Sequence, residues 1–311
     1  MILEEIGQLE GYELVDSGEG MRLEKFGEYL LTRPDPAVLW KKSLPESEWK
    51  KADAEFTRSV EDKGSWNIRG QVPEKWLMNY QPADAQNKTN SEISFYAKLT
   101  PFKHTGVFPE QVSNWDFISR QLSAKGGDGG KEDKPAKLLN LFGYTGIPSV
   151  LAAKLGAQVT HVDASKPSIG WAQENMVASG LPENSIRWIL DDALKFVKRE
   201  VRRGAVYDAI IMDPPAFGRG AKGEVWKFHE QFPELLHEAA QLVKPKSFKF
   251  VIINAYAVSV SALLLRNMLE DFADQAKLPS EKSVEYGELV LEQKNIERKL
   301  STGIFGRLFV K

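Results

Sequence analysis

Along the first hundred residues, apolar and polar positions alternate in short runs at Tyr12–Val15, Met21–Phe26, Tyr29–Thr32, Trp76–Tyr80 and Ile93–Leu99. A period of two puts successive side chains on opposite faces of an extended chain, so each run predicts a half-buried strand. Asp16-Ser17-Gly18 and Pro34-Asp35-Pro36 supply turn chemistry between them. The pattern predicts a small, mostly antiparallel β-rich domain over residues 1–99, its core filled in part by Trp40, Trp49, Trp66 and Trp76.

The period then changes. Val112, Trp115, Ile118 and Leu122 share one face of a helix in a segment that begins HTGVFPEQ. Residues 124–137, AKGGDGGKEDKPAK, read as an exposed flexible loop. The second domain nevertheless starts at residue 100 and runs to 311, because the helix before the loop should pack on the sheet beyond it. From Lys137, apolar runs at Leu138–Phe142, Gln158–Val162, Ile186–Leu190, Ala209–Met212 and Phe248–Ile253 alternate with helical stretches at 147–155, 166–179, 192–203, 226–243 and 259–275. That rhythm predicts an α/β fold, a mostly parallel sheet with helices on both faces. Glu288–Glu292 and Ile304–Val310, around Ser301-Thr302-Gly303, predict a C-terminal antiparallel hairpin at the sheet edge.

In such a sheet the ligand crevice lies at the carboxyl ends of the strands, and four of those ends carry candidate chemistry. The first is Phe142-Gly143-Tyr144-Thr145-Gly146, a glycine turn able to approach a ligand closely or simply to join strand to helix. The second is Asp163-Ala164, about 20 residues on, where a carboxylate can accept from ribose hydroxyls or cap the next helix. The third is Asp191-Asp192, one residue suited to an adenine amine and the other to a cap, with Asp191 the choice for the ligand. The fourth, Asp213-Pro214-Pro215-Ala216-Phe217, is the most specific: two prolines end the ladder and hold the chain rigid, and Phe217 offers a flat apolar face.

Composition narrows the chemistry. A net charge of -2 gives no global attraction to a polyanion, so nucleic acid would need a local basic patch. Arg219, Lys222 and Lys227 could contact phosphate or belong to a solvated loop, whereas Lys195, Lys198, Arg199, Arg202 and Arg203 read as the exposed face of a helix. Cysteine is absent, which excludes disulfides, thiolate metal sites and a cysteine nucleophile. The four histidines show no metal-ligand spacing and no metal is expected; His161 reads as a core residue and His104 as the one candidate base. With neither a secretory signal nor a run of about 18 apolar residues, the expected location is cytoplasmic, with no membrane partner.

Four blocks, TGVFPEQ, NLFGYTG, VDASKPSIGWAQENMVASG and YDAIIMDPPAFGRG, together resemble the bacterial RNA methyltransferases that modify cytosine C5 in large-subunit ribosomal RNA, over roughly residues 100–260. The resemblance implies a Rossmann-like SAM methyltransferase fold and S-adenosylmethionine (SAM) as cofactor. It implies cofactor contacts from Thr105, Phe108 and Gln111, from the Phe142–Gly146 turn, and from Asp163, Ala164, Asp191, Asp192 and Asp213. RNA, and ribosomal RNA among RNAs, is the implied partner. Two departures limit it. Members that methylate C5 attack the ring with a cysteine after the fifth strand; here that strand runs into Asn254-Ala255-Tyr256 and the chain has no thiol, so that covalent route is excluded. The first hundred residues also do not look like the family's usual RNA-binding domain.

Asp-Pro-Pro-x-Phe is similar to the Pro-Pro-aromatic motif of amino methyltransferases, which implies that Asp213 and the Pro214 carbonyl orient an amine while Phe217 stacks on its ring. Ring-carbon enzymes carry Asp-Pro-Pro as well, so nitrogen is favoured and oxygen stays open. Three alternatives stand beside an RNA-modifying transferase: a methyltransferase of a small molecule or protein, a non-catalytic SAM-binding module, and a nicotinamide-dependent oxidoreductase, against which the incomplete Gly-x-Gly-x-x-Gly speaks. Oligomeric state is open.

Overall fold

Five apolar runs between residues 137 and 255 lie side by side as parallel strands: Lys137–Leu141, Gln158–Asp163, Ile186–Leu190, Ala209–Met212 and Phe250–Ala255. The computed structural model describes residues 2–4, 9–58, 64–82, 91–123, 134–219 and 225–310. The eight-stranded sheet runs Ile2–Glu4, Lys282–Gln293, Arg298–Val310, Phe250–Ala255, Ala209–Met212, Lys137–Leu141, Gln158–Asp163, Ile186–Leu190. Arg298–Val310 pairs antiparallel with both of its neighbours. Strand order reverses between Lys137–Leu141 and Ala209–Met212, which pair from Leu138↔Ala209 to Leu141↔Met212. This is the Rossmann-like arrangement expected, with the antiparallel hairpin behind the fifth parallel strand.

Alternate residues of the central strands feed two cores, as the period of two requires. Leu139, Leu141, Ile210, Met212, Val251 and Ile253 face helices Ala193–Arg202, Phe228–Ala240 and Ala262–Gln275. Leu138, Ala209, Ile211, Phe250 and Ile252 face helices Val112–Ser123 and Ile147–Lys154. The second core continues into the N-terminal region through Phe26, Leu31, Trp76, Met78 and Phe95. That region holds a five-stranded sheet, in the order Tyr12–Gly18, Met21–Phe26, Tyr29–Pro34, Ala54–Arg58, Gly64–Ile68, and a separate hairpin, Trp76–Tyr80 with Ile93–Ala97.

Several expectations need correction. Ser301-Thr302-Gly303 is not the hairpin turn: Ser301 pairs with Val290 and Gly303 with Leu289, and the chain reverses at Lys294–Ile296, with Glu297 at φ 52. Nor is the hairpin the edge of the sheet, since Ile2–Glu4 pairs in parallel outside it. Trp226 does not open a helix; it lies in a ribbon of Phe217–Arg219 with Val225–Lys227, and the helix begins at Phe228. Strands Ala54–Arg58 and Gly64–Ile68 are weak in sequence because AEFTR and GSWNI alternate over only five residues and carry one and two large apolar side chains. Trp49 and Trp76 are buried as expected, whereas Trp40 and Trp66 are only half-buried. Their indole N–H groups donate to the Ser17 carbonyl at 2.9 Å and the Thr100 carbonyl at 2.8 Å. Residues 124–133 of the predicted loop, and Lys222, lie outside the described residues. No helix among the described residues is long and apolar enough to cross a membrane.

Helix Lys166–Ala178 explains the polar content of the VDASKPSIGWAQENMVASG block. Among the described residues, strand Ile93–Ala97 has a paired neighbour on one side only. Its other edge is satisfied by side chains: Tyr96 N–H donates to Asn175 Oδ1 at 2.8 Å, and Ser94 N–H to Ser179 Oγ at 3.0 Å. Trp171 Nε1 donates to the Tyr96 carbonyl at 3.0 Å. Asn175, fully buried, also donates through Nδ2 to the Thr145 carbonyl at 2.8 Å, so one amide joins the N-terminal hairpin to the glycine turn. Removing it strands a buried donor and a buried acceptor. Asn175→Ala is expected to destabilise the protein by about 2–3 kcal/mol, read as a lower midpoint in urea unfolding.

Candidate functional site

The carboxyl ends of the parallel strands open into a cavity of about 1320 Å³, walled by the glycine turn, Asp163–Pro167, Asp191–Ala193, Asp213–Gly218 and Asn254–Val258. Its far side comes from Arg22, Arg33–Ala37 and Phe102–His104.

The glycine turn is tightly constrained. Phe142 and Tyr144 sit at φ 56 and 48, which side chains rarely adopt, and Gly146 at φ 75. Gly143 is required from beneath: a Cβ there would lie 2.3 Å from the His161 ring. That imidazole is fully buried, bonded through Nδ1 to Ser149 Oγ at 3.0 Å, and burial pushes its pKa down to about 3. His161 is thus a neutral platform under the turn. Asp163 holds the turn from the side, Oδ2 accepting from Tyr144 N–H and Oδ1 from Ser165 N–H, both at 2.8 Å. Burial pushes its carboxyl above the ordinary range, and the two N–H groups pull it back. Each oxygen still has a lone pair to offer, on a side chain that lines the cavity. An anionic acceptor beside a close backbone turn, in a cavity larger than a nucleoside, fits the adenosine end of SAM.

At the third strand end, Asp192 caps helix Ala193–Arg202, accepting from Lys195 N–H at 2.9 Å. Asp191 accepts from Asp192 N–H at 2.9 Å and forms an ion pair with Arg199. Both line the cavity, with much of their bonding capacity already used.

The Thr105–Gln111 segment enters differently from expectation. Thr105 is fully buried outside the cavity wall, its hydroxyl turned to the Val107 carbonyl at 3.4 Å, so it is not placed to touch a ligand. Its neighbour Gly106, at φ 83, is demanded by Trp171, whose ring would lie 2.2 Å from a Cβ. The Gly106 carbonyl accepts from Thr145 Oγ1 at 2.7 Å, which docks the segment onto the glycine turn. Phe108 reaches the cavity, its ring 5.9 Å from both Tyr144 and Tyr256. Gln111 also lines it and donates through Nε2 to the Tyr256 hydroxyl. His104 is a poor base: burial, reinforced by Arg33, Lys103 and Arg22, pushes its pKa down to about 3, far from neutral.

Asp213 stands where the strand order reverses, its N–H donating to the Leu141 carbonyl at 3.4 Å. Its Oδ1 is shielded from solvent and has no hydrogen-bond partner among the described residues. Burial pushes its carboxyl up to about 7, with the charge of Glu110 adding to the shift. Behind the prolines, Trp226 Nε1 donates to the Pro215 carbonyl at 2.7 Å and its ring packs on Phe142 at 4.8 Å. Phe217 is left 55% exposed at the cavity. Pro214 lies in the same wall, as does Ala164.

Sequence reading missed the far wall and Tyr256. Arg33 donates to both Glu24 oxygens at 2.8 Å and Arg22 pairs with Asp35, so the two arginines of this polar wall are matched by carboxylates, while Lys103 donates to the Pro34 carbonyl at 3.2 Å. Arg22, Glu24 and Arg33 carry no signal in sequence, lying on strands remote from every motif, and Asp35 reads only as part of the Pro34-Asp35-Pro36 turn. Tyr256 carried a signal, directly after the fifth parallel strand, where the sequence is notable for the missing thiol. Among the described residues no group of three His, Cys, Asp or Glu could hold a metal.

No protein-family profile matches the chain. It is 31% identical over 157 residues to the ribosomal RNA large subunit methyltransferase K/L of Shewanella sp. (strain ANA-3), covering 49% of this chain and 20% of that protein. The chain thus matches about a fifth of the length of such relatives. A SAM-dependent methyltransferase structure from Agrobacterium tumefaciens superposes with a TM-score of 0.87 at 36% identity, covering 100% of this chain and 94% of that one. SMU.776, assigned as a methyltransferase and solved with SAH, shares the fold at a TM-score of 0.64 and 18% identity, covering 93% of this chain and 71% of that one.

A carboxyl with a raised folded-state pKa binds its proton more tightly than the unfolded chain does. Stability therefore falls as pH rises from the unfolded pKa of about 3.9 to the folded value of about 7. Asp213→Asn is expected to match the wild type in thermal midpoint near pH 4 and to exceed it at pH 8.

Proposed function

Since the chain belongs to the SAM-dependent methyltransferases, we propose that it methylates RNA, ribosomal RNA first, at a nitrogen of a planar base. The observation that carries the nitrogen assignment is the Asp213 carboxyl, one oxygen without a partner among the described residues, followed in the chain by two prolines and the exposed ring of Phe217. RNA rests on the likeness to the K/L ribosomal RNA methyltransferases.

SAM, when bound, supplies a methyl group already made electrophilic by its sulfonium. In this reading Asp163 accepts from the ribose hydroxyls, the Phe142–Gly146 backbone seats the amino-acid end, and Asp191, with Asp192 and Ala164 beside it, borders the adenine. Asp213 and the Pro214 carbonyl accept from the acceptor amine and turn its lone pair into the crevice. Phe217 holds the ring flat against this edge. The proton released from nitrogen passes to the Asp213 carboxylate, whose pKa of about 7 suits a group that takes a proton and gives it up near neutrality. Residues 1–99, as a β-rich substrate-side domain, supply the wall that closes the crevice against water, and 100–311 the transferase domain.

A second reading, methylation of a small planar amine, draws on the same wall. Arg22 and Arg33 are engaged by Asp35 and Glu24 and are not free for phosphate.

Labelled SAM incubated with fractionated RNA, followed by digestion to nucleosides and mass spectrometry, is expected to yield an N-methyl nucleoside. Label confined to ribose oxygen, to ring carbon or to the protein fraction would remove the proposal. Asp213→Ala is expected to lower the transfer rate by about 100-fold or more while SAM affinity holds. Asp163→Ala is expected to weaken SAM binding by about 10–100-fold, measured by calorimetry.

A further inference from the structure

We infer that Tyr256 is a substrate-specificity residue, its hydroxyl donating beside the accepting Asp213 so that the pair reads an amide- or amidine-type edge of a heterocycle. The inference builds on the placement of Asp213 at the acceptor amine.

Both residues leave adjacent parallel strands at the same end. Ala209–Met212 and Phe250–Ala255 pair in register, Met212 opposite Ile253, and neighbouring strands lie about 4.8 Å apart. Both side chains line the one cavity. The Tyr256 ring has a fixed seat. A Cβ on Gly303 would lie 2.8 Å from it, so the glycine makes room, and the Phe108 ring stands 5.9 Å away.

The direction of the Tyr256 hydrogen bond follows from a chain of groups whose polarity starts at an arginine. A guanidinium can only donate. Arg307, 1% exposed between the rings of Phe117 and Phe305, donates through Nε to Asn114 Oδ1 at 2.7 Å. That fixes which end of the Asn114 amide is oxygen. Its Nδ2 then donates to Gln111 Oε1 at 2.7 Å and to Asn254 Oδ1 at 2.9 Å. Asn254 returns a second donor to Gln111 Oε1 at 3.3 Å. With its oxygen so occupied, Gln111 must present its NH₂ to Tyr256, and the phenolic oxygen accepts. The phenol proton is thereby turned away from Gln111.

The phenol keeps that proton. Burial, then the charges of Asp213 and Glu110, push its pKa well above the ordinary value. At the end of the adjacent strand, Asp213 Oδ1 has no partner among the described residues. One donor and one acceptor thus line the same cavity from the ends of adjacent strands, and the complementary ligand offers an N–H next to a lone pair. The amino group and adjoining ring nitrogen of cytosine, adenine or guanine make such an edge. An aliphatic ammonium offers donors only and leaves the Tyr256 proton unmatched.

The test uses the full chain with its cofactor crevice saturated by S-adenosylhomocysteine. Cytidine and 3-deazacytidine, adenosine and 1-deazaadenosine, and guanosine and 3-deazaguanosine are titrated as pairs by calorimetry. For wild type, at least one pair should show about tenfold weaker binding of the deaza partner, the loss of one hydrogen bond. In Tyr256→Phe the parent should fall to the affinity of its deaza partner and the preference vanish, with S-adenosylhomocysteine affinity within about twofold of wild type. A merely structural tyrosine would weaken both members equally. That outcome, a preference kept intact in Tyr256→Phe, or no saturable binding of any nucleoside to wild type overturns the inference. Nitrogen methylation found without these effects overturns this inference alone; these effects without nitrogen methylation overturn the earlier reading alone.

Discussion

Reversal of strand order between Lys137–Leu141 and Ala209–Met212 is the constraint on which the rest depends. The chain leaves these neighbours in opposite directions, so neither connection covers the gap between their ends. Below the gap stand Leu141, Met212 and Ile253, fully buried. Polar groups at the tips are therefore held over an apolar floor, where an unpaired charge is poorly solvated and a hydrogen bond counts for more than in water.

That setting gives the two central carboxylates different characters. Asp163 is drawn into the backbone by two N–H donors and acts as a strut for the glycine turn as well as an acceptor on its cavity side. Asp213 has an oxygen without a partner among the described residues and a carboxyl poised near neutrality. Unsatisfied buried groups cost stability, and the surrounding structure supports this one: Trp226 braces the prolines behind it, and the Arg307–Asn114–Gln111 chain braces Tyr256 beside it. A site kept slightly frustrated within a rigid surround is preorganised for a ligand that supplies the missing partners.

The N-terminal region is joined to this frame by polar as well as apolar contacts. Asn175 links its hairpin to the glycine turn. Asp16 accepts from Trp49 Nε1 at 2.9 Å and from Gln293 Nε2, at the tip of the C-terminal hairpin, at 2.8 Å. The Rossmann half therefore has a second wall of fixed geometry, and the cavity between them is deeper than strand tips alone would make it.

Periodicity determined the α/β architecture, because burial on both faces of a parallel sheet can be met only by short apolar runs between helices. The strand ends at Gly143, Asp163, Asp191 and Asp213 were legible for the same reason: a crevice at the carboxyl ends needs no information beyond the strands themselves. Hairpin register was not, since Ser301-Thr302-Gly303 has turn composition and yet pairs within a long strand, held there by its partners at Leu289 and Val290. Thr105, expected at the cofactor, is buried away from the cavity, and Tyr256, to which the sequence assigns no role, stands in its wall. A local motif specifies residue types, while the direction in which a side chain points is set by what packs on it. For Tyr256 those neighbours are Gly303, Phe108 and Gln111, residues far from it in sequence that only the tertiary structure brings together.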